Sequence, residues 1–149
     1  MELTPNEAKA LDLGFHWGQI PRKQIVGIAD ELILAATGLP SSEICELAVC
    51  KFDFQVEKTL SKFLQGADKW TPVILLLKKY RTLSELNEAD RRRLYYSISN
   101  YADWEDDDPW HEFKIRCHEL SDAQIGVYGD EEEISNELFG ILSTAVSAK

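Results

Sequence analysis

The chain has 149 residues, 44% of them hydrophobic and 10% aromatic, enough for a packed core and too apolar for a disordered segment. Its formal charge of −10 sets it against nucleic acid and anionic lipid, which both repel an acidic surface. The longest aliphatic run, Val73-Ile74-Leu75-Leu76-Leu77, is far short of a membrane span.

Met1-Glu2-Leu3-Thr4-Pro5 has neither the basic start nor the apolar run of a signal peptide. Three cysteines with no regular framework fit a reducing compartment, and a cytoplasmic location is expected.

Thr4-Pro5-Asn6-Glu7 reads as a capping box with proline at the first helical position, opening a helix that Gly14 ends. Phe15-His16-Trp17-Gly18-Gln19-Ile20 follows as an aromatic connection, with Phe15, Trp17 and Ile20 assigned to the core and His16 read as structural, not as a ligand or base. Pro21 starts a second helix to about Thr37, in which Ile25, Ile28, Ala29, Leu32 and Ala36 share a face. Ser41 or Ser42 caps a third helix, and Cys45 and Cys50, five apart, read as buried thiols and not as a zinc or redox pair.

Asp53 is the expected cap of a fourth helix carrying Val56, Leu60, Phe63 and Leu64, which Gly66 ends. Asp68 caps a fifth, with Pro72 in its first turn and an apolar run to Tyr80. That run also fits a buried strand, but the excess of leucine and the helical neighbours favour a central helix. Thr82-Leu83-Ser84-Glu85 looks like another capping box, and a sixth helix runs from Glu85 or Glu88 to Tyr101. Its Arg91, Arg92 and Arg93 fan over the outer surface beside Glu88 and Asp90.

The charge is unevenly spread. Residues 1–100 hold 13 acids and 13 bases, whereas residues 101–149 hold 13 acids and three bases, Lys114, Arg116 and Lys149. Five of the six residues Asp103 to Asp108 are acidic, with Trp104 within the run and Trp110 just after it. Asp108-Pro109 resembles a helix start, capped by Asp108, for a seventh helix with Trp110, Phe113, Cys117 and Leu120 on one stripe. Trp110 is then an inward anchor, while Trp104-Glu105-Asp106-Asp107 has no folding role. His111, Cys117 and His118 lack a metal-ligand spacing, so no metal or cofactor is expected. Ser121 to Gly129 reads as a loop. Asp130 caps a last helix whose first turn holds Glu131, Glu132 and Glu133, and Ser147-Ala148-Lys149 frays.

These patterns predict an all-α chain, one compact domain over residues 1–149 with about seven or eight helices. No phosphate loop, nucleophile elbow or Ser/His/Asp set is present, and Cys117 and His118 are helix neighbours that point apart, so no enzyme is expected.

The words Phe15-His16-Trp17-Gly18-Gln19-Ile20, Lys69-Trp70 before the leucine-rich helix, and Tyr101-Ala102-Asp103-Trp104 before Pro109 and Glu112 resemble a bacterial domain-of-unknown-function family, number 2247, of small acidic helical proteins. The resemblance spans most of residues 10–120 and brings no active site; here the third word is lengthened by extra acids. In size, charge and architecture the chain also looks like the immunity proteins of bacterial toxin systems, contact-dependent growth inhibition included. That likeness implies a cytoplasmic binder of a basic protein, a cognate toxin domain such as a nuclease. The expected binding residues are Trp104, Glu105, Asp106, Asp107, Asp108 and Glu112. The alternative is a helical adaptor or regulatory subunit that uses an apolar groove, its acids serving solubility alone.

Overall fold

The computed structural model describes residues 2–127 and 129–148. Among them the regular elements are eight α-helices with short 3₁₀ and π turns, and no strand. The helices gather into two compact units, Met1–Thr82 and Leu83–Lys149.

The first unit opens with α1 (Pro5–His16), and its capping box forms: Thr4 Oγ1 accepts the Glu7 amide at 3.2 Å. The helix does not stop at Gly14, which lies inside it for a packing reason. A Cβ there would meet Ile20 at 2.6 Å and Leu76 at 2.8 Å. The turn comes later, at Gly18 with φ 71°. Phe15 and Trp17 are half-buried and Ile20 is buried.

Helix α2 is Arg22–Ala35, with Pro21 just outside it instead of at its first position. Helix α3 is Ser42–Ala48, with Ser41 Oγ accepting the Ile44 amide at 3.3 Å. Helix α4 is Asp53–Leu60. Asp53 is its first residue and not its cap; the Gln55 side-chain oxygen accepts the Lys51 amide at 2.8 Å and the Phe52 amide at 3.1 Å instead.

Asp68 does hold the start of α5 (Thr71–Leu75), accepting both the amide and the hydroxyl of Thr71 at 2.7 Å. The run then widens into a π-helical turn, Leu76–Tyr80, closed by the Arg81 amide on the Leu76 carbonyl at 2.8 Å. Leu11, Ile20, Ile25, Leu47, Leu60 and Leu76 are almost wholly shielded and form one cluster. Each such side chain contributes roughly 1.5–3 kcal/mol relative to exposure. Cys50 is buried as expected, but Cys45 is exposed: Ile44 and Leu47 take the inward face of the short α3.

In the second unit a 3₁₀ turn, Leu83–Glu85, stands where the capping box was expected. Asn87 caps α6 (Glu88–Tyr101) by accepting the Asp90 amide at 2.8 Å. Helix α7 is Trp110–Gln124, longer than expected, so Ser121 to Gln124 are helical and not loop. Tyr128 of that loop and the terminal Lys149 lie outside the described residues. Helix α8 is Glu131–Ser147, capped by Asp130, whose Oδ1 accepts the Glu132 amide at 3.0 Å and the Glu133 amide at 3.2 Å.

Trp110, Phe113, Cys117 and Leu120 are buried on one stripe of α7. Phe113 meets Tyr95 edge to face at 6.0 Å. Burial pushes the Tyr95 phenol up to about 12, and the Cys117 thiol likewise to about 12. Two of the three arginines do more than fan into solvent. Arg92 joins Glu88 at 3.0 Å to Glu131 at 3.3 Å, and the Arg91 guanidinium lies 4.5 Å from the Phe139 ring centre.

Candidate protein-binding surface

The acidic segment begins where α6 ends. Ala102 is buried, and its amide bonds the Ile98 carbonyl at 2.9 Å. The chain then turns back at once: the Asp103 amide donates to Asp106 Oδ2 at 2.8 Å, and the Asp106 amide to the Asp103 carbonyl at 3.0 Å. A second turn delivers α7, with the Trp110 and His111 amides on the Asp107 carbonyl at 3.1 and 3.3 Å. The Asp108–Pro109 bond is cis, and Pro109 stands just before the helix instead of opening it. Asp108 still serves the helix start, accepting the Glu112 amide at 3.2 Å.

Trp104 is 52% exposed but not idle. Its indole lies over the row His111, Lys114 and His118, spaced by three and four along α7. The His118 ring is 5.0 Å away and tilted, the His111 ring is 6.2 Å away and edge-on, and the Lys114 ammonium is 5.1 Å from the indole centre. His111 Nδ1 donates to the Trp104 carbonyl at 2.9 Å. The expectation that residues 104–107 have no folding role is therefore corrected for Trp104 and Asp106. The side chains of Glu105 and Asp107 are exposed.

The bases here are already committed. Lys114 Nζ donates to the carbonyls of Ser99 at 2.7 Å and Ala102 at 2.9 Å, at the negative end of α6. Arg116 reaches Glu119 at 2.9 Å, Glu137 at 3.2 Å and Glu112 at 3.9 Å. Among the described residues, no base pairs with Glu105, Asp107 or Asp108. Arg116 also joins two acidic groups, since Glu112 belongs to the first turn of α7 and Glu137 to α8. Along α8, Asp130, Glu132, Glu133, Asn136 and Glu137 line a shallow hollow of about 540 Å³. The acidic surface of this unit thus extends from the Trp104 turn across Arg116 to α8. No family model, curated protein or solved structure matches this chain.

By unit the charge division is complete. Residues 1–82 hold ten acids and ten bases; residues 83–149 hold 16 acids and six bases, the whole −10.

The first unit carries a different surface, which the sequence reading missed. Val49, Phe52 and Phe54 are 71%, 58% and 66% exposed, and the two phenyl rings stack nearly parallel at 5.8 Å. A signal for it exists in the helical period. Val56 and Leu60 fix the inward face of α4, and Phe54, two residues before Val56, lies about 200° around the helix from it. A groove of about 620 Å³ also runs along α2, lined by Leu3, Gln24, Gly27, Ile28, Leu32 and Tyr80 among others.

His16 proves to be held on both sides: Nδ1 lies 2.8 Å from the Asp12 carbonyl, and Nε2 contacts the Glu57 carboxylate. His111 is engaged with Trp104, and the Cys117 thiol donates to the Tyr95 carbonyl at 3.5 Å. Among the described residues, no three His, Cys, Asp or Glu side chains are grouped to hold a metal.

Proposed function

We propose that the chain is a non-catalytic immunity protein that binds and neutralises a basic toxin domain in the cytoplasm of a bacterium. Its kinship with family number 2247 stands on the same footing, since it rests on the short aromatic words. The observation that carries the reading is the confinement of the net charge to the second unit, where Trp104 stands half-exposed near Glu105, Asp107 and Asp108, with which no base among the described residues pairs. A nuclease active site is basic because it holds phosphates, and an acidic surface replaces that substrate. Opposed fields of this kind raise association rates by ~10 to 1,000-fold.

The test is association with the toxin domain encoded by the adjacent gene. Glu105→Gln with Asp107→Asn leaves every described hydrogen bond of the turn in place and should slow association several-fold. Trp104→Ala should mainly speed dissociation, by roughly 30-fold if the indole contributes the ~2 kcal/mol of an aromatic hot spot. Absence of a complex, or association rates indifferent to the double substitution, counts against the reading.

A second reading, a helical adaptor or regulatory subunit, is favoured by the exposed Val49, Phe52 and Phe54 patch and the α2 groove. Its partner would dissociate on Phe52→Ser with Phe54→Ser. It would also bind equally well up to ~0.5 M salt, where screening leaves only short-range contacts.

A further inference from the structure

His16 ends α1, and its ring bridges to α4. The two groups it faces, the Asp12 carbonyl oxygen and the Glu57 carboxylate, are acceptors. A neutral imidazole has one N–H, so it could serve one oxygen only while turning a lone pair toward the other. An imidazolium donates to both. The Asp12 carboxylate adds to this, 3.3 Å from Nδ1.

Other charged groups lie around the ring. Lys9 pairs with Asp12 at 3.6 Å, and Arg22 from α2 pairs with Asp53 of α4 at 3.5 Å. Lys23 and Arg81 line the same cleft, of about 820 Å³. Two ion pairs therefore cross this cleft to the outer edge of α4, His16–Glu57 and Arg22–Asp53. The inner face of α4 is held separately by the buried Val56 and Leu60.

We propose that His16 is a protonation-dependent clasp: charged, it pins the outer edge of α4 to α1 across the cleft, and on losing its proton it releases that edge, so that local opening of α4 is set by pH. The bond to the Asp12 carbonyl, with the Asp12 and Glu57 carboxylates, outweighs burial and holds the His16 pKa above its ordinary 6.5. A raised folded-state pKa means that the clasp is complete below about 6.5 and is lost as pH rises through the higher folded value.

The experiment follows the His16 ring by NMR in the full chain between about pH 5 and 9, together with amide exchange of α4 corrected for its intrinsic pH dependence. The expected result is a midpoint above 6.5, with α4 opening rising roughly two- to fivefold through it, as suits an ion pair of this exposure. Glu57→Gln, whose amide serves either form of the ring, should lower the midpoint and flatten the pH dependence of α4. His16→Gln should abolish that dependence. A midpoint at or below 6.5, α4 exchange unchanged across the range, or wild-type dependence in either variant overturns the clasp.

Discussion

Two helical glycines provide a test in which the same substitution carries opposite signs. In a helix interior, glycine to alanine favours folding by ~1 kcal/mol, because the unfolded chain loses freedom and the helix gains a better former. At Gly27 a Cβ would meet nothing within 4 Å, so Gly27→Ala should stabilise by about 0.5–1 kcal/mol. At Gly14 the same atom would lie 2.6 and 2.8 Å from Ile20 carbons and 2.8 Å from Leu76 Cδ1, side chains with almost no exposure. Forcing a methyl into such packing costs ~1–3 kcal/mol. The propensity gain offsets part of this, leaving Gly14→Ala destabilised by about 1–2 kcal/mol. Urea unfolding followed by helix content, with all three proteins in one buffer, should separate the variants by about 1.5–3 kcal/mol. Gly14→Ala at or above wild-type stability would refute the close packing of α1 against Ile20 and Leu76. Loss of stability in Gly27→Ala would refute the open face of α2.

Two further outcomes follow from local chemistry. The Thr71 hydroxyl and then its amide hold Asp68 below its ordinary 3.8; the stability this gives is present above about 3.8 and is lost as pH falls through the lower folded value. Thr71→Val should move the Asp68 midpoint, read by NMR, back toward 3.8, and an unmoved midpoint would dismiss the hydroxyl. Cys45 is exposed, whereas burial pushes the buried Cys117 up to about 12. A thiol reagent should therefore label Cys45 on the native protein and Cys117 only on unfolding, and mass spectrometry showing equal rates would contradict that burial.

The helices are legible in the sequence wherever side chains alone decide them. Thr4 with Glu7, Ser41, Asp68 and Asp130 each hold amides as their spacing predicts, and the stripe Trp110, Phe113, Cys117, Leu120 is buried as drawn. The departures have tertiary causes. Gly14 resembles a helix stop until Ile20 and Leu76 are seen to need its missing Cβ. Asp53 resembles a cap, yet Gln55 reaches back to the amides first. Thr82 to Glu85 has the letters of a capping box, but Asn87 holds the helix. At the candidate surface, the cluster of acids is visible in the sequence. The division between acids that fold the turn and acids that face outward is not, because it depends on which carboxylate meets an amide.

Asp106 and Asp107 make that division measurable. They are neighbours of identical chemistry, but Asp106 closes the turn through the Asp103 amide, whereas the described structural role of Asp107 is played by its carbonyl. Asp106→Ala removes a hydrogen bond worth ~0.5–1.5 kcal/mol. It should raise exchange at the Asp103 amide and loosen the support of Trp104. Asp107→Ala keeps every described bond of the turn and removes only an outward charge. In binding to a basic partner, Asp107→Ala should then act on the association rate alone, with a salt dependence reduced in step. Asp106→Ala should also speed dissociation, because Trp104 no longer meets the partner pre-ordered. Identical kinetic effects from the two substitutions would mean that the turn has no part in presenting Trp104, and that total charge is all the partner detects.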